Sequence, residues 1–156
     1  MRTSLKNNPG KASMLLALII LLLFNLTYAN DLVTVKRVID GDTLLLSNRE
    51  RVRLIGVDTP ETKHPQKPVE RFGKEAYLFT KRMVEGKEVR LEFDWQKRDK
   101  YGRLLAYVYL TDGTFLNAEI IKQGYGFAYT RFPFKYLEEF RKYEREARDN
   151  KRGLWK

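Results

Sequence analysis

The chain has 156 residues, enough for one domain with a modest hydrophobic core. Hydrophobic residues make up 43% of it and aromatic residues 13%, so the composition excludes a wholly disordered protein. Thirty Lys and Arg against twenty Asp and Glu give a formal charge of +10, which favours a polyanionic partner, either a nucleic acid or an anionic membrane surface.

The first thirty residues differ in composition from the rest. A basic stretch without acids precedes an apolar run of eleven residues, Met14 to Phe24, and small residues follow at Thr27-Tyr28-Ala29. The run is shorter than the roughly 20 residues of a spanning helix, so we predict a signal peptide, residues 1–29, cleaved after Ala29. Cleavage removes three positive charges and no negative ones, which leaves +7. An uncleaved signal anchor is the alternative.

We therefore expect one mature domain, residues 30–156, exported to the periplasm or the medium. Nothing in its sequence demands more than a monomer, and we expect no stable membrane insertion after cleavage.

The absence of cysteine and the single histidine, His64, restrict the chemistry. They exclude thiolate metal sites, thiol nucleophiles and zinc sites built from several histidines. Any bound metal must then be held by oxygen, which indicates a hard cation such as calcium or magnesium. We interpret His64 as exposed and not catalytic.

The mature sequence begins with strand patterns, and two more strands follow a helix. Asp40-Gly41 is a hairpin signal between the first two strands, and the first three strands form an antiparallel meander. The five predicted strands are Leu32–Ile39, Thr43–Leu46, Arg51–Leu54, 88–93 and Arg103–Leu110.

Three helices complete the pattern. A polar loop runs to about Glu70, and apolar residues at helical spacing then predict a helix from there to Glu85. A short helix around Leu116–Ile121 is closed by Gly124, and a longer one carries Tyr136 to Ala147 on its apolar face. Leu154 and Trp155 are expected to fold back onto the body. Three strands, a helix and two strands predict an α+β fold, a five-stranded OB-fold barrel with three helices.

Two carboxylates are expected to converge at one end of this meander. Asp42 follows the tight turn and Asp58 ends the third strand, so both lie at the same end of the sheet, as a hard cation requires. Thr59 precedes a proline, which keeps its backbone extended and leaves its carbonyl free of helical hydrogen bonds. Glu61 lies on the following loop, where it can reach a water molecule. Taken singly, Asp42 is an ordinary turn residue and Asp58 a loop cap.

Arginines and tyrosines are the other candidate groups. Arg53, on the same predicted strand as Asp58, and Arg103, which opens the fifth strand, suit the charge that develops on a phosphoryl group. Tyr101, Tyr125 and Tyr129 lie among Lys and Arg, an arrangement that suits base stacking beside phosphate contacts. Each of these arginines taken alone is more often a solvated surface residue, and for Tyr125 a place in the core is equally plausible.

Three motifs together resemble the staphylococcal (micrococcal) nuclease family. The resemblance covers about Val35 to Trp155, and its motifs occur in order at plausible spacing. They are Ile39-Asp40-Gly41-Asp42-Thr43, then Arg53-Leu54 leading to Val57-Asp58-Thr59-Pro60-Glu61-Thr62, and Asp99-Lys100-Tyr101-Gly102-Arg103.

The resemblance implies a calcium-dependent endonuclease that hydrolyses DNA and RNA with little sequence specificity and leaves 3′-phosphate ends. Asp42, Asp58 and the Thr59 carbonyl match the calcium ligands, and Arg53 and Arg103 match the pair that contacts the scissile phosphate. Glu61 matches the glutamate that positions or deprotonates the attacking water. The residues that match the lining of the nucleotide pocket are Lys100, Tyr101 and Tyr129.

The chain departs from the family pattern after Gly124, where it is one residue shorter and Arg131 replaces the second pocket tyrosine. Two other classes of function compete with the enzyme. A non-catalytic OB-type binding module has no use for carboxylates beside a polyanion, and a membrane-surface protein leaves the three motifs unexplained.

Overall fold

The structure is a computed structural model that describes residues 13–19, 32–62 and 71–156. The chain divides into two units, Met1–Leu32 and Val33–Lys156. In the first unit, residues 13–19 are helical and exposed (α1). Within the described residues, no helix is both long and apolar enough to cross a membrane. The predicted cleavage site, His64 and the loop at 63–70 lie outside the described residues.

The first three strands form the predicted antiparallel meander. Thr43 pairs with Arg53 and Leu45 with Arg51, so short turns bring consecutive strands together. The bounds of the second and third strands are those predicted, and the first strand is one residue longer. The strands are β1 (Leu32–Asp40), β2 (Thr43–Leu46) and β3 (Arg51–Leu54).

Two further strands, which pair antiparallel with each other, close the barrel: β5 (Glu88–Glu92) and β6 (Leu104–Leu110). The order around the barrel is β1-β2-β3-β6-β5, in which β3 and β6 run parallel. Backbone bonds from Val35 N–H to the Lys87 carbonyl (2.9 Å) and from Gly86 N–H to the Val35 carbonyl (2.8 Å) bind β1 to the residues before β5. The predicted five-stranded OB-fold barrel is confirmed.

The described residues of the second unit also form three helices, of which the first precedes β5 and the other two come after β6. The last residues form a short 3-10 helix. The predicted helix at 70–85 begins at Gly73, and the Leu154 N–H donates to the Gly124 carbonyl at 2.8 Å, so the end of the chain folds back as expected. The helices are α2 (Gly73–Val84), α3 (Leu116–Lys122), α4 (Leu137–Asp149) and the 3-10 helix Gly153–Trp155.

The hydrophobic core fills the barrel and continues under the helices. Its largest fully buried side chains include Leu44, Leu54, Ile120 and Phe140. Tyr125, for which a core position and a binding position were both plausible, is half-buried and stacks on Phe79 with ring centroids 4.2 Å apart. Tyr125 is therefore a packing residue.

The placement of Asp58 corrects the sequence interpretation. It does not end β3, because β3 stops at Leu54 and Asp58 lies on a separate two-residue strand, β4 (Val57–Asp58). Gly56, with φ of 72°, breaks the strand between them. β4 pairs with β7 (Phe127–Ala128), and strands this short leave no periodic pattern in a sequence.

Candidate active site

One guanidinium joins the two candidate metal-binding carboxylates. Arg53 Nη2 lies 3.2 Å from Asp42 Oδ2 and 3.0 Å from Asp58 Oδ1. Arg53 Nη1 donates to the carbonyls of Leu54 (3.0 Å) and Val57, so the side chain is fixed on both sides. The expected convergence of Asp42 and Asp58 therefore occurs, with Asp42 just before β2 as predicted and Asp58 on β4 rather than at the end of β3.

The two carboxylates differ in environment. The Asp42 side chain is 11% exposed, whereas that of Asp58 is 50% exposed. Asp42 accepts hydrogen bonds from the Thr43 hydroxyl (2.9 Å) and the Thr59 N–H (3.1 Å). The Asp42 carboxylate is thus buried and held in orientation, whereas the Asp58 side chain is half-exposed.

The turn that carries Asp42 is anchored from behind. The buried Thr80 of α2 donates its hydroxyl to the Gly41 carbonyl at 2.6 Å. A Cβ at Gly41 would lie 2.6 Å from Thr59 Oγ1, so only glycine permits this close approach of the two segments. The β1–β2 turn and the segment after β4 are therefore packed directly against each other.

The donor set suits a hard cation. The described residues contain no cluster of three or more His, Cys, Asp or Glu side chains, so any cation would depend on two carboxylates supplemented by neutral oxygens. Thr59 follows Asp58 in the chain, and its N–H donates to Asp42. Its buried Oγ1 has no hydrogen-bond partner among the described residues. An all-oxygen set with a buried, unsatisfied hydroxyl fits a calcium-type ion better than a transition metal.

Glu61 is exposed, and contacts at residues 61 and 62 hold the main chain there. The Thr62 hydroxyl donates to Asp40 Oδ1 at 2.9 Å, which ties the loop to the end of β1. On the other side, a Cβ at Gly73 would lie 2.8 Å from the Glu61 carbonyl oxygen, so the start of α2 packs against the loop backbone. The main chain at Glu61 is therefore fixed while its side chain remains exposed.

Arg103 is oriented by Asp99 across a tight turn. Asp99 Oδ2 accepts from Arg103 Nε at 2.7 Å, and Oδ1 accepts from the main-chain N–H groups of Arg103 (3.0 Å) and Tyr101 (2.9 Å). Burial opposes ionisation of Asp99, but these hydrogen bonds outweigh it and hold the pKa of Asp99 below its ordinary value. Asp99 was not predicted as a site residue, although it lies within the third motif.

A cleft of about 600 Å³ connects these groups. Its walls include Arg53, Asp58 and Arg103. Asp42, Thr59 and Glu61 are not part of the lining, and the first two of them are buried. The other predicted site residues in its wall are Lys100, Tyr101 and Tyr129.

The predicted nucleotide-binding residues are arranged around ring faces. Tyr101 is 64% exposed, with Lys100 Nζ 5.1 Å and Arg103 Cζ 5.4 Å from its ring centroid. The Tyr129 N–H donates to the Gly56 carbonyl at 2.9 Å, which fixes Tyr129 beside the β3–β4 turn. Basic groups beside an open aromatic face suit an aromatic base linked to a phosphate.

Sequence interpretation missed three aromatic residues in the cleft lining, Trp95, Phe132 and Phe134, of which Trp95 and Phe132 are highly exposed. Arg131, expected to replace a pocket residue, is exposed and does not line the cleft. Large apolar residues inside a charged loop, as in Asp94-Trp95-Gln96-Lys97, are the signal that points to them.

Comparisons with known proteins show what the chain is similar to. A family model described as staphylococcal nuclease homologue matches residues 51–156. The thermonuclease of Staphylococcus hyicus is 44% identical over 123 residues, which cover 76% of this chain and 72% of that protein. The thermonuclease of Staphylococcus intermedius is 46% identical over 125 residues, which cover 78% and 74%. The endonuclease YncB of Bacillus subtilis (strain 168) is 43% identical over 129 residues, which cover 79% and 61%.

Proposed function

Because the chain belongs to the staphylococcal nuclease family, we propose that it is a calcium-dependent endonuclease that hydrolyses DNA and RNA with little sequence specificity. The observation that carries the proposal is the convergence of Asp42, Asp58 and Arg53 at one side of a cleft that also contains Arg103. The names of the relatives, thermonuclease and endonuclease, support a hydrolase that acts on nucleic acids.

The carboxylates argue for a cation and against a simple binding module. Two like charges 4 Å apart repel by roughly 4 kcal/mol at an effective dielectric constant near 20. Asp42 and Asp58 beside a phosphate would therefore weaken binding unless a divalent cation offset their charge. We assign their carboxylates and the Thr59 main-chain carbonyl as the groups that hold calcium, which would supply positive charge to the developing phosphorane-like transition state.

The residues of the chain then have separate roles. Arg53 and Arg103 stabilise the charge that builds on the non-bridging phosphate oxygens, and both are held in place, by Asp42 and Asp58 and by Asp99 respectively. Glu61, which lies on the exposed loop, orients the attacking water and accepts a proton from it. Lys100 contacts the phosphate backbone of the nucleic acid, and Tyr101 and Tyr129 contact a sugar or a base.

The reaction is a hydrolysis that needs no oxidant or reductant. The water oxygen forms a new bond to phosphorus while the bond from phosphorus to the 5′-oxygen breaks. The 5′-oxygen leaves with a proton, so the products are a 3′-phosphate and a 5′-hydroxyl.

We also propose that the protein is exported, to the periplasm or the medium, after removal of residues 1–29, and that it acts as a monomer. The apolar run at Met14 to Phe24 and the positive charge of the remaining chain support export and a nucleic-acid substrate.

The experiment is cleavage of single-stranded DNA and RNA by the purified protein, with calcium and with excess chelator, followed by identification of the product ends. We expect cleavage only with calcium and 3′-phosphate termini. Asp42→Ala and Asp58→Ala should each abolish the calcium response. Binding without cleavage in any metal would instead support the OB-type binding module.

A further inference from the structure

Two large aromatic side chains in the cleft are strongly exposed. Trp95 is 70% exposed and Phe132 is 63% exposed, and both line the cleft that holds Arg53 and Arg103. Phe132 contacts Tyr129, with ring centroids 6.2 Å apart and planes inclined at 47°. The aromatic surface therefore continues outward from the predicted pocket residue Tyr129.

Hydrogen bonds hold the loops that carry these rings. Trp95 Nε1 donates to the Pro133 carbonyl at 3.2 Å, which links the indole directly to the loop of Phe132. Asp94 Oδ1 accepts from the Trp95 N–H at 2.8 Å, and Asp94 Oδ2 accepts from the Lys135 N–H at 2.9 Å. One carboxylate thus joins both loops, so the indole is anchored at its edge while its faces remain open.

The exposed rings in the cleft are available to bind a ligand. Exposed apolar area forgoes about 25 cal/mol for each Å² that burial would remove from water, and tryptophan is usually well buried. The cleft wall contains three cations, Arg53, Lys100 and Arg103, and three carboxylates, Asp58, Asp94 and Asp99. Arg53 and Arg103 are paired with carboxylates, so Lys100 beside Tyr101 is the cation that best suits an anionic group. A nucleotide combines a flat base with an anionic phosphate, and its base can stack on an aromatic face whatever the sequence.

We propose that Trp95 and Phe132 form a second base-stacking surface that binds one further unpaired base of a single-stranded substrate, next to the pocket of Tyr101 and Tyr129. The proposal rests on the proposed function, because it assumes that the strand enters the cleft. Bases of a duplex remain stacked on each other and cannot use this surface.

Trp95 provides its own reporter. The chain has two tryptophans, and Trp155→Phe leaves Trp95 as the sole emitter. The Trp155 Nε1 is buried and has no hydrogen-bond partner among the described residues, so phenylalanine is a mild replacement there. In that variant, an oligodeoxythymidylate of about 12 nucleotides should quench the emission on binding. Inorganic polyphosphate, which has charge but no bases, should not.

Substitutions at the surface separate stacking from bulk. In the otherwise unchanged protein, Trp95→Ala and Phe132→Ala should each weaken oligonucleotide binding about tenfold and raise KM with little change in kcat. Trp95→Phe should restore most of the affinity, whereas Trp95→Leu, which keeps apolar bulk without a ring, should not. Fluorescence anisotropy of a labelled oligonucleotide measures affinity independently of Trp95.

The outcomes distinguish this proposal from the proposed function. If the protein cleaves the oligonucleotide but binding is unchanged in Trp95→Ala and Phe132→Ala, only the stacking surface is refuted. Equal quenching by polyphosphate also refutes it. If the anisotropy shows no nucleic-acid binding by the unsubstituted protein, both proposals fail.

Discussion

At the scale of single residues, the role proposed for Glu61 is the one that is easiest to test separately. Glu61 lies outside the cleft lining, so its loss removes little contact with a bound strand. We expect Glu61→Gln to lower kcat by about 100-fold or more and to change KM little, because the carboxylate acts on the water in the transition state.

Glu139→Gln is the matched control for that variant. It makes the same chemical change on an exposed face of α4, away from the cleft, and should leave kcat unchanged. Steady-state kinetics on single-stranded DNA provides both constants. A near-normal kcat in Glu61→Gln would remove Glu61 from the mechanism.

Asp99 holds the Arg103 side chain, and the proposed function makes it a positioning residue that acts through Arg103. In Asp99→Asn, Oδ1 can still accept the main-chain hydrogen bonds of the turn. The oxygen Oδ2, which accepts from Arg103 Nε, becomes an NH₂ group that can only donate. We expect kcat to fall by up to about 100-fold, because a displaced guanidinium stabilises the transition state poorly.

Asp112→Asn is the control for this change, since Asp112 also accepts a turn N–H, that of Thr114 at 2.9 Å, but outside the cleft. Its kcat should be unchanged. An unaltered kcat in Asp99→Asn, with normal folding by circular dichroism, would show that Arg103 needs no partner.

At the scale of elements, the β3–β4 turn decides where the second carboxylate lies. Gly56 reverses the chain between Arg53 and Asp58 with a positive φ, and its carbonyl accepts the Tyr129 N–H. Buried Asn117 of α3 supports the same turn, since its Nδ2 donates to the Ile55 carbonyl at 2.9 Å and its Oδ1 accepts from the Val108 N–H at 2.9 Å. The barrel and α3 thus position the site jointly.

We expect Gly56→Ala to lower the free energy of unfolding by about 3 kcal/mol. A Cβ there would lie 2.6 Å from Phe134 Cζ and 2.9 Å from Phe140 Cδ2, in addition to the strain of a positive φ. Urea denaturation measures the effect.

Gly113→Ala is the control, because Gly113 has φ of 88° but no atom within 4 Å of an added Cβ. It should lose only the strain, about 1–2 kcal/mol. Equal losses in the two variants would show that the rings of Phe134 and Phe140 give way without cost.

At the scale of the whole molecule, ionised carboxylates and neutral tyrosines stabilise the fold at opposite ends of the pH range. Burial opposes ionisation of Asp94, but hydrogen bonds from Tyr107 and from two main-chain N–H groups outweigh it and lower the pKa of Asp94. Burial and the bond to Asp94 raise the pKa of Tyr107 above its ordinary value. The contact between Asp94 and Tyr107 thus lowers the pKa of the carboxyl group and raises the pKa of the phenol.

The free energy of unfolding should therefore be greatest between these limits. The lowered pKa values of Asp94 and Asp99 stabilise the folded protein at pH values above 3.8, the ordinary pKa of an aspartate. This stability is lost as the pH falls below 3.8 and through the lower pKa values of the folded state. The raised pKa of Tyr107 contributes stability below its ordinary value of 10.0, and it is lost as the pH rises above that value.

Urea denaturation across the pH range tests this expectation. Asp94→Asn should flatten the acid side and Tyr107→Phe the alkaline side, each at some cost in overall stability. A free energy of unfolding that stays constant from about pH 5 to about pH 2 would contradict the assignment.

The sequence by itself determined the barrel and the bounds of the second and third strands, because alternating apolar residues and turn signals are local. The candidate site residues stay predictions that the motifs and the family resemblance supplied. The three motifs also identified the family. Only the tertiary structure decided that Asp58 lies on its own strand and that Asp99 holds Arg103. It also showed that the half-buried Tyr125 packs against the core, whereas Trp95 and Phe132 are exposed in the cleft. These features depend on which segments meet across the barrel, and pairings between distant residues leave no mark on local periodicity.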